Sequence, residues 1–448
     1  MGTTISYTED RLRNSYWFVP TLMLIGAAAL AWVTTNLDDS YNPERARWVG
    51  DLIHSGSSDG AREVLGTIAA SMITVAGVVF SVTIVSLQLA SSQFGPRMLA
   101  NFMRDRGNQI TLGTFVSAFL YSLLVLRTID TSSASANVPH LSVTFAVGLA
   151  VAGLVVLIYF IHHISTAIQA PNLIDAIADE MRRGVDHLFP DVEDIDVADT
   201  THTAELPADF DEHARPIEAG GTGFVEVVDV EDLVKIAAER DLVIRLEVRP
   251  GRFVVQRTPV ASAYPAGHMS DDVAEAIART IVTGARRTAQ HDIEFPIRQM
   301  VEIAVRALSP AINDPFTAST CVDQAGSGLC ELARRRFPGP YVLDKDDRLR
   351  FVDGDPITWE RLIGAAFDQV RQAASSHTQV YLHMLESLTR VARCVRDPAR
   401  LEPLLREASL IVEAAGRHVE AEVDRAVIEQ RYDALVTVAG RARDGLVS

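Results

Sequence analysis

The chain has 448 residues, more than one small domain holds, so two or three folding units are expected. Its 41 Lys+Arg stand against 58 Asp+Glu, a formal charge of −17, which argues against a nucleic-acid partner because phosphate binding needs a basic face. The three cysteines (Cys321, Cys330, Cys394) give no disulfide framework and fit a reducing compartment, and no Cys/His set has zinc-site spacing, so neither metal nor cofactor is implied.

Four apolar runs, at 17–33, 64–90, 110–126 and 141–164, each have the roughly 17 to 25 residues that a bilayer core requires. No charged residue interrupts them. Transmembrane helices are therefore expected at about 17–36, 64–91, 110–127 and 141–165, a membrane domain over 1–168. The first run also has features of a signal peptide: Arg11 and Arg13 precede it and Ala27-Ala28-Ala29 lies near its end. Tyr16, Trp17, Phe18 and Trp32 look more like interface anchors on a retained helix. Arginines lie before the first run, between the second and third (Arg97, Arg104, Arg106) and after the fourth (Arg182, Arg183), whereas 130–140 has no Lys or Arg. The positive-inside rule then places both termini in the cytoplasm, in a bacterial inner membrane.

The second run carries the most information. Thr67, Thr74, Ser81 and Gln88 recur every seven residues, and Ser71, Val78, Val85 and Ser92 form the neighbouring row. A strict seven-residue repeat makes helices wind around one another. Several symmetric copies of this polar stripe would surround a wettable axis, and Arg97 just past it would form a ring of charge that biases ion selectivity. Hydroxyls in membrane helices also bond back to their own carbonyls, and small residues also pack helices within one subunit. Both readings are open on the sequence. In the third run Gly113, Ser117 and Tyr121 recur at packing intervals; the fourth has Gly148, Ala152 and Gly153, then His162 and His163 at its end. Adjacent histidines point about 100° apart on a helix, a poor arrangement for one shared metal.

Beyond 168 the pattern is that of a soluble α+β domain, mostly helical. Residues 169–215 read as an amphipathic helix followed by an acidic linker. A small β-rich module is expected over 216–266: strands at 224–228, 242–248, 253–255 and 260–264, with a helix at 230–240 capped by Asp229. Its VRPGRFVVQRTPVA stretch is similar to the hairpin of biotinyl/lipoyl-type barrels, but the Met-Lys attachment pair is missing, so no biotin or lipoate is implied. Arg245, Arg249, Arg252 and Arg257 cluster there and can receive an anionic ligand, an acidic neighbour or solvent. Residues 267–448 read as a helical domain, with helices at 270–289, 296–308, 359–374, 377–395, 401–415 and 419–443 and a short hairpin near 341–352. Between the second helix and its successor, two prolines flank Asn313-Asp314 in an ordered break, a candidate ligand or subunit contact as well as a plain elbow.

The segments Gln88-Leu-Ala-Ser-Ser-Gln-Phe-Gly-Pro-Arg97 and Ser309-Pro-Ala-Ile-Asn-Asp-Pro-Phe-Thr317, with the four-helix layout, resemble a bacterial family of predicted membrane proteins, domain of unknown function 2254. The resemblance spans nearly the whole chain. It implies a multi-pass membrane protein and no activity, and it supplies no catalytic residues. No Walker loop, nucleophile elbow, zincin helix or Rossmann fingerprint is present. The expected function is a homo-oligomeric channel for an ion or small solute, a ring in the lipid bilayer lined by Thr67, Ser71, Thr74, Ser81, Gln88, Ser92 and Arg97. The alternative is a membrane-anchored sensor or scaffold whose soluble domain binds a small ligand or protein. An enzyme using His162, His163 or Asp314 is a third reading.

Overall fold

The computed structural model describes residues 17–40, 57–94, 105–129, 139–167, 169–189, 205–288 and 291–444. The chain divides into two compact units, Met1–Asn172 and Leu173–Ser448.

In the first unit four helices are long and apolar enough to cross a membrane: α1 (Phe18–Ser40), α2 (Ser58–Phe94), α3 (Arg106–Leu126) and α4 (His140–Ala167). All four expected spans are present, with α2 longer than its apolar run. At 1.5 Å per residue its 37 residues extend about 55 Å, well beyond a hydrocarbon core of about 30 Å. The most buried of the four is α3, which packs against each of the others. Gly113, Ser117, Ala118, Tyr121 and Ser122 are buried on it, as their spacing predicts. A Cβ at Gly113 would overlap the Met23 side chain of α1, so only a bare backbone allows that approach.

Buried polar contacts tie these helices at one end. The Tyr121 hydroxyl shares a hydrogen bond with Thr34 at 2.9 Å and donates to the Ser142 carbonyl. Asp38, at the end of α1, accepts from the Leu141 and Ser142 amides (2.8 and 2.9 Å) and from the Ser142 hydroxyl. A carboxylate from one helix thus satisfies the orphan amides that open another.

The second unit opens with α5 (Ala170–Leu188), whose buried face runs through Ile174, Ile177, Met181 and Val185. Beyond a single helical turn (Phe210–His213) come β1 (Arg215–Glu218), β2 (Gly223–Val228), α6 (Val230–Arg240), β3 (Val243–Leu246), β4 (Phe253–Val254), β5 (Pro259–Tyr264), α7 (Asp271–Thr280) and β6 (Ile281–Gly284). Asp229 caps α6 through the Asp232 amide, as the sequence indicates. The remainder is α8 (Glu294–Ala307), α9 (Pro315–Arg334), β7 (Tyr341–Leu343), β8 (Leu349–Asp353), α10 (Trp359–Ala373), α11 (Thr378–Cys394), α12 (Leu401–His418) and α13 (Glu422–Arg443).

Three expectations change. The helix expected over 270–289 stops at Thr280, because the β-branched Ile281, Val282 and Thr283 pair with β2 instead. The stretch similar to a lipoyl-type hairpin is divided between sheets: β4 pairs with β2, while β5 lies between β1 and β3. Gly251, in the left-handed region at φ 84°, makes the turn from β3 into β4, and a Cβ there would overlap the Asp292 carboxylate. Finally, the β-rich module is not confined to 216–266. The hairpin near 341–352 forms, but β8 adds in parallel to β3, giving a five-stranded sheet of order β1-β5-β3-β8-β7. One core, from Ile217 and Leu233 through Ile277 to Phe351, closes over these elements.

Helices α9 and α11 meet at a glycine. A Cβ at Gly326 would overlap the Ser387 hydroxyl, whereas Gly440, on an exposed face of α13, has nothing within 4 Å. Gly326→Val is expected to lower stability by about 1–3 kcal/mol, the cost of overpacking. Gly440→Ala is expected to raise it by about 0.5–1 kcal/mol through helix propensity alone. Thermal unfolding of the detergent-solubilised chain measures both. In the membrane unit, Asp38→Ala removes the cap on α4 and is expected to cost about 1–2 kcal/mol.

Candidate functional site

The packing of α2 decides which of its faces are available. Ala61, Leu65, Ala69, Ala76, Val79, Thr83, Ser86 and Ala90 are buried, spaced by threes and fours with Met72 half-buried between them. This seam meets α3 and α4 in two clusters. Ala61 and Leu65 pack with Tyr121, Val125 and Val143; Ala76 and Val79 pack with Leu112, Phe115 and Phe160.

At about 100° per residue, the Thr67, Thr74, Ser81, Gln88 row lies on the side of the helix opposite that seam. All of Thr67, Ser71, Thr74, Ser81, Gln88 and Ser92 are exposed, as are Val78 and Val85 between them. Among the described residues of the membrane unit, the stripe is therefore opposite the packed seam. Thr74 donates to the Ala70 carbonyl at 2.7 Å and Ser92 to the Leu89 carbonyl at 2.9 Å, the back-bonding expected of hydroxyls in membrane helices. Thr67, Ser71, Ser81 and Gln88 have no hydrogen-bond partner among the described residues. Arg97 lies outside the described residues. Ile73, Phe80 and Ile84, on a flank of the helix, are exposed apolar surface.

An open groove of about 700 Å³ runs between α2 and α4, lined by Glu63, Val64, Thr67 and Ile68 on one side and Val147, Val151 and Leu154 on the other. No local pattern signals it, since it arises from the pairing of two helices. At the other end of α4, His163 makes a 2.6 Å contact with Asp105, whose carboxylate also caps α3 through the Gly107 amide. His162 is exposed. One turn into α3, Asn108 is buried and its amide makes no hydrogen bond among the described residues.

In the second unit, Asn313 adopts a left-handed conformation at φ 50° and is exposed. Asp314 caps α9, accepting from the Thr317 amide at 3.1 Å and its hydroxyl at 2.6 Å. Ile312 and Phe316 project from the same elbow. His163 and Asp314 belong to different units, and each spends its polar atoms on a local structural contact.

The arginine cluster near the 249–252 turn receives acidic neighbours. Arg249 donates to Glu294 at 2.6 Å and to Asp355 at 2.7 Å. Glu294 is fully buried and also accepts from Arg298; Asp355 also meets Arg252 and Arg361. Burial opposes ionisation of both carboxyls, but the Arg249 hydrogen bonds and the neighbouring arginines outweigh it, holding both below their ordinary values. Nearby, an open groove of about 540 Å³ is lined by Arg298, Arg361, Arg406, Glu360, Asp368 and Glu407. Burial there pushes the Glu407 carboxyl up to about 7, against the pull of Arg371.

Two outcomes are expected. Glu294→Ala removes one of the two carboxylates that Arg249 meets in a nearly closed site and should cost about 1–3 kcal/mol. For the carboxylate itself the direction with pH is fixed: a depressed folded value means stabilisation present above the ordinary 4.5 and lost as pH falls through the folded value. Glu407 has the opposite sign. Its raised value makes ionisation destabilising as pH climbs from 4.5 toward 7, so Glu407→Gln should flatten the decline in thermal midpoint over that window.

A sequence profile described as Predicted membrane protein (DUF2254) matches residues 13–390. Uncharacterized proteins of Mycobacterium bovis and Mycobacterium tuberculosis are each 33% identical over 426 residues, covering 94% of this chain and 80% of theirs. No solved structure matches the chain. The resemblance carried by the 88–97 and 309–317 segments is thus upheld over nearly the whole length, and the chain belongs to the DUF2254 family of predicted membrane proteins.

Proposed function

We propose that the chain assembles into a homo-oligomeric channel for an ion or small solute. The pore is lined by α2, and the second unit is a cytoplasmic domain that assembles the ring and gates it. One observation carries this reading: among the described residues of the membrane unit, the polar stripe of α2 is exposed, on the side opposite the seam that packs against α3 and α4. In a lipid-facing position a polar group without a partner is costly. Around a symmetry axis the same side chains face water and each other. In this arrangement the seam holds α2 to its subunit, the stripe faces the axis, and Arg97 rings the inner mouth. Arginines around the spans support cytoplasmic termini and insertion in a bacterial inner membrane.

A second reading, a membrane-anchored sensor, is favoured by the mixed-charge groove beside Glu407. Three arginines on its walls suit a small anionic ligand. The two readings separate in planar bilayers. The channel reading expects the purified full-length chain to be oligomeric and to conduct. It also expects Ser81→Leu and Gln88→Leu to reduce the current several-fold while Ile73→Leu leaves it unchanged. Full current in both stripe variants, or a monomeric and silent protein, would sink the pore assignment.

A further inference from the structure

Two of the three cysteines, far apart in sequence, meet in the second unit. Cys330 lies on α9 and Cys394 ends α11, and the two thiols are hydrogen-bonded to each other. Arg334, one turn beyond Cys330 on α9, reaches across to the Cys394 sulfur at 3.8 Å. Arg390, one turn before Cys394, acts on Cys330 from the other helix and is itself ion-paired to Asp323. Both thiols are half-buried, so a small solute reaches them, and both are free. Cys321, by contrast, is sealed in the core. The helices run side by side here, with Gly326 against Ser387 one turn before Cys330 on α9 and two turns before Cys394 on α11.

We propose that Cys394 and Cys330 form a peroxide-reactive dithiol, in which Cys394 is the attacking thiolate and Cys330 resolves it to a disulfide joining α9 to α11. The shared hydrogen bond with Cys330 pulls the Cys394 thiol down to about 6, and Arg334 adds to the pull. Cys330, which holds the shared hydrogen and is partly buried, is pushed up. Arg334, 3.8 Å from the Cys394 sulfur, thus favours the thiolate on Cys394 and leaves Cys330 as the protonated partner. In the first step the Cys394 sulfur attacks one oxygen of a hydroperoxide. The O–O bond breaks, the other oxygen leaves with a proton as an alcohol (water, for hydrogen peroxide), and Cys394 becomes a sulfenic acid. In the second, the Cys330 sulfur attacks the Cys394 sulfur and gives up its proton. The S–O bond breaks and the hydroxide leaves as water. Two thiols and one hydroperoxide give one disulfide, one alcohol and one water.

The test uses the full-length chain in detergent with hydrogen peroxide as the probe. Wild-type protein, digested without reductant, is expected to yield a peptide pair linked through Cys330 and Cys394 within one chain. Cys330→Ser should stop at a sulfenic acid on Cys394 that dimedone traps. Cys394→Ser should consume peroxide roughly ten-fold more slowly, because the remaining thiols are mostly protonated. The proposal is overturned if the wild-type digest lacks that link, which needs no variant to establish. It is equally overturned if the link forms between chains or if Cys394→Ser reacts at the wild-type rate.

Discussion

The membrane unit depends on α2 being packed along a single seam. Its alanines, Leu65 and Val79 let it lie close against α3 and α4, and those two helices occupy one side only. The rest of the unit follows. Because α3 takes contacts from α1, α2 and α4, it carries the small and hydroxylic residues that central position requires, and Tyr121 must find its partners in Thr34 and Ser142. Asp38 then closes the end of α4. Apolar burial gives little drive between helices in lipid, so close backbone approach and these few hydrogen bonds set the arrangement.

The second unit is held by a different balance. Its sheet and helical bundle are joined where Arg249 reaches Glu294, at the start of α8, and Asp355, just past β8. Three segments distant in sequence meet at one guanidinium, whose planar fork serves two carboxylates at once. Such a cluster adds little net stability over a well-packed apolar one, but removing Glu294 takes from Arg249 one of its two charge partners in a nearly closed site. Its effect is on specificity of pairing: β8 has a charged reason to lie beside β3, where the hydrophobic pattern alone would allow a separate hairpin.

Local signals were readable in the sequence, and distant pairings were not. The four spans, the Asp229 cap, the α8–α9 elbow and the helices of the bundle follow from hydropathy, period and turn chemistry, each contained in a few residues. The end of α7 at Thr280 was not, because Ile281-Val282-Thr283 is compatible with both helix and strand until β2 is there to pair with it. The parallel addition of β8 to β3 has no local signature, since the partners lie in different thirds of the second unit. The stripe on α2 was legible as a pattern, but its facing was not. A seven-residue row of hydroxyls reads the same whether it packs or is exposed, and only the buried seam on the opposite side separates the two.

The members of that stripe do not weigh equally. A threonine in lipid satisfies its hydroxyl on its own helix, as Thr74 does with Ala70, so an exposed hydroxyl costs little and argues little. Gln88 is different. Its amide has two donors and an acceptor, and it makes no hydrogen bond within the described residues. Left in hydrocarbon, such an amide costs about 2–7 kcal/mol, more than one seam of alanine packing returns. Since α2 is longer than a bilayer is thick, the depth of Gln88 fixes the outcome. At the interface it is wetted and says nothing about assembly. Within the hydrocarbon it needs a second polar surface, which the proposed assembly supplies as the same stripe on another copy of this chain.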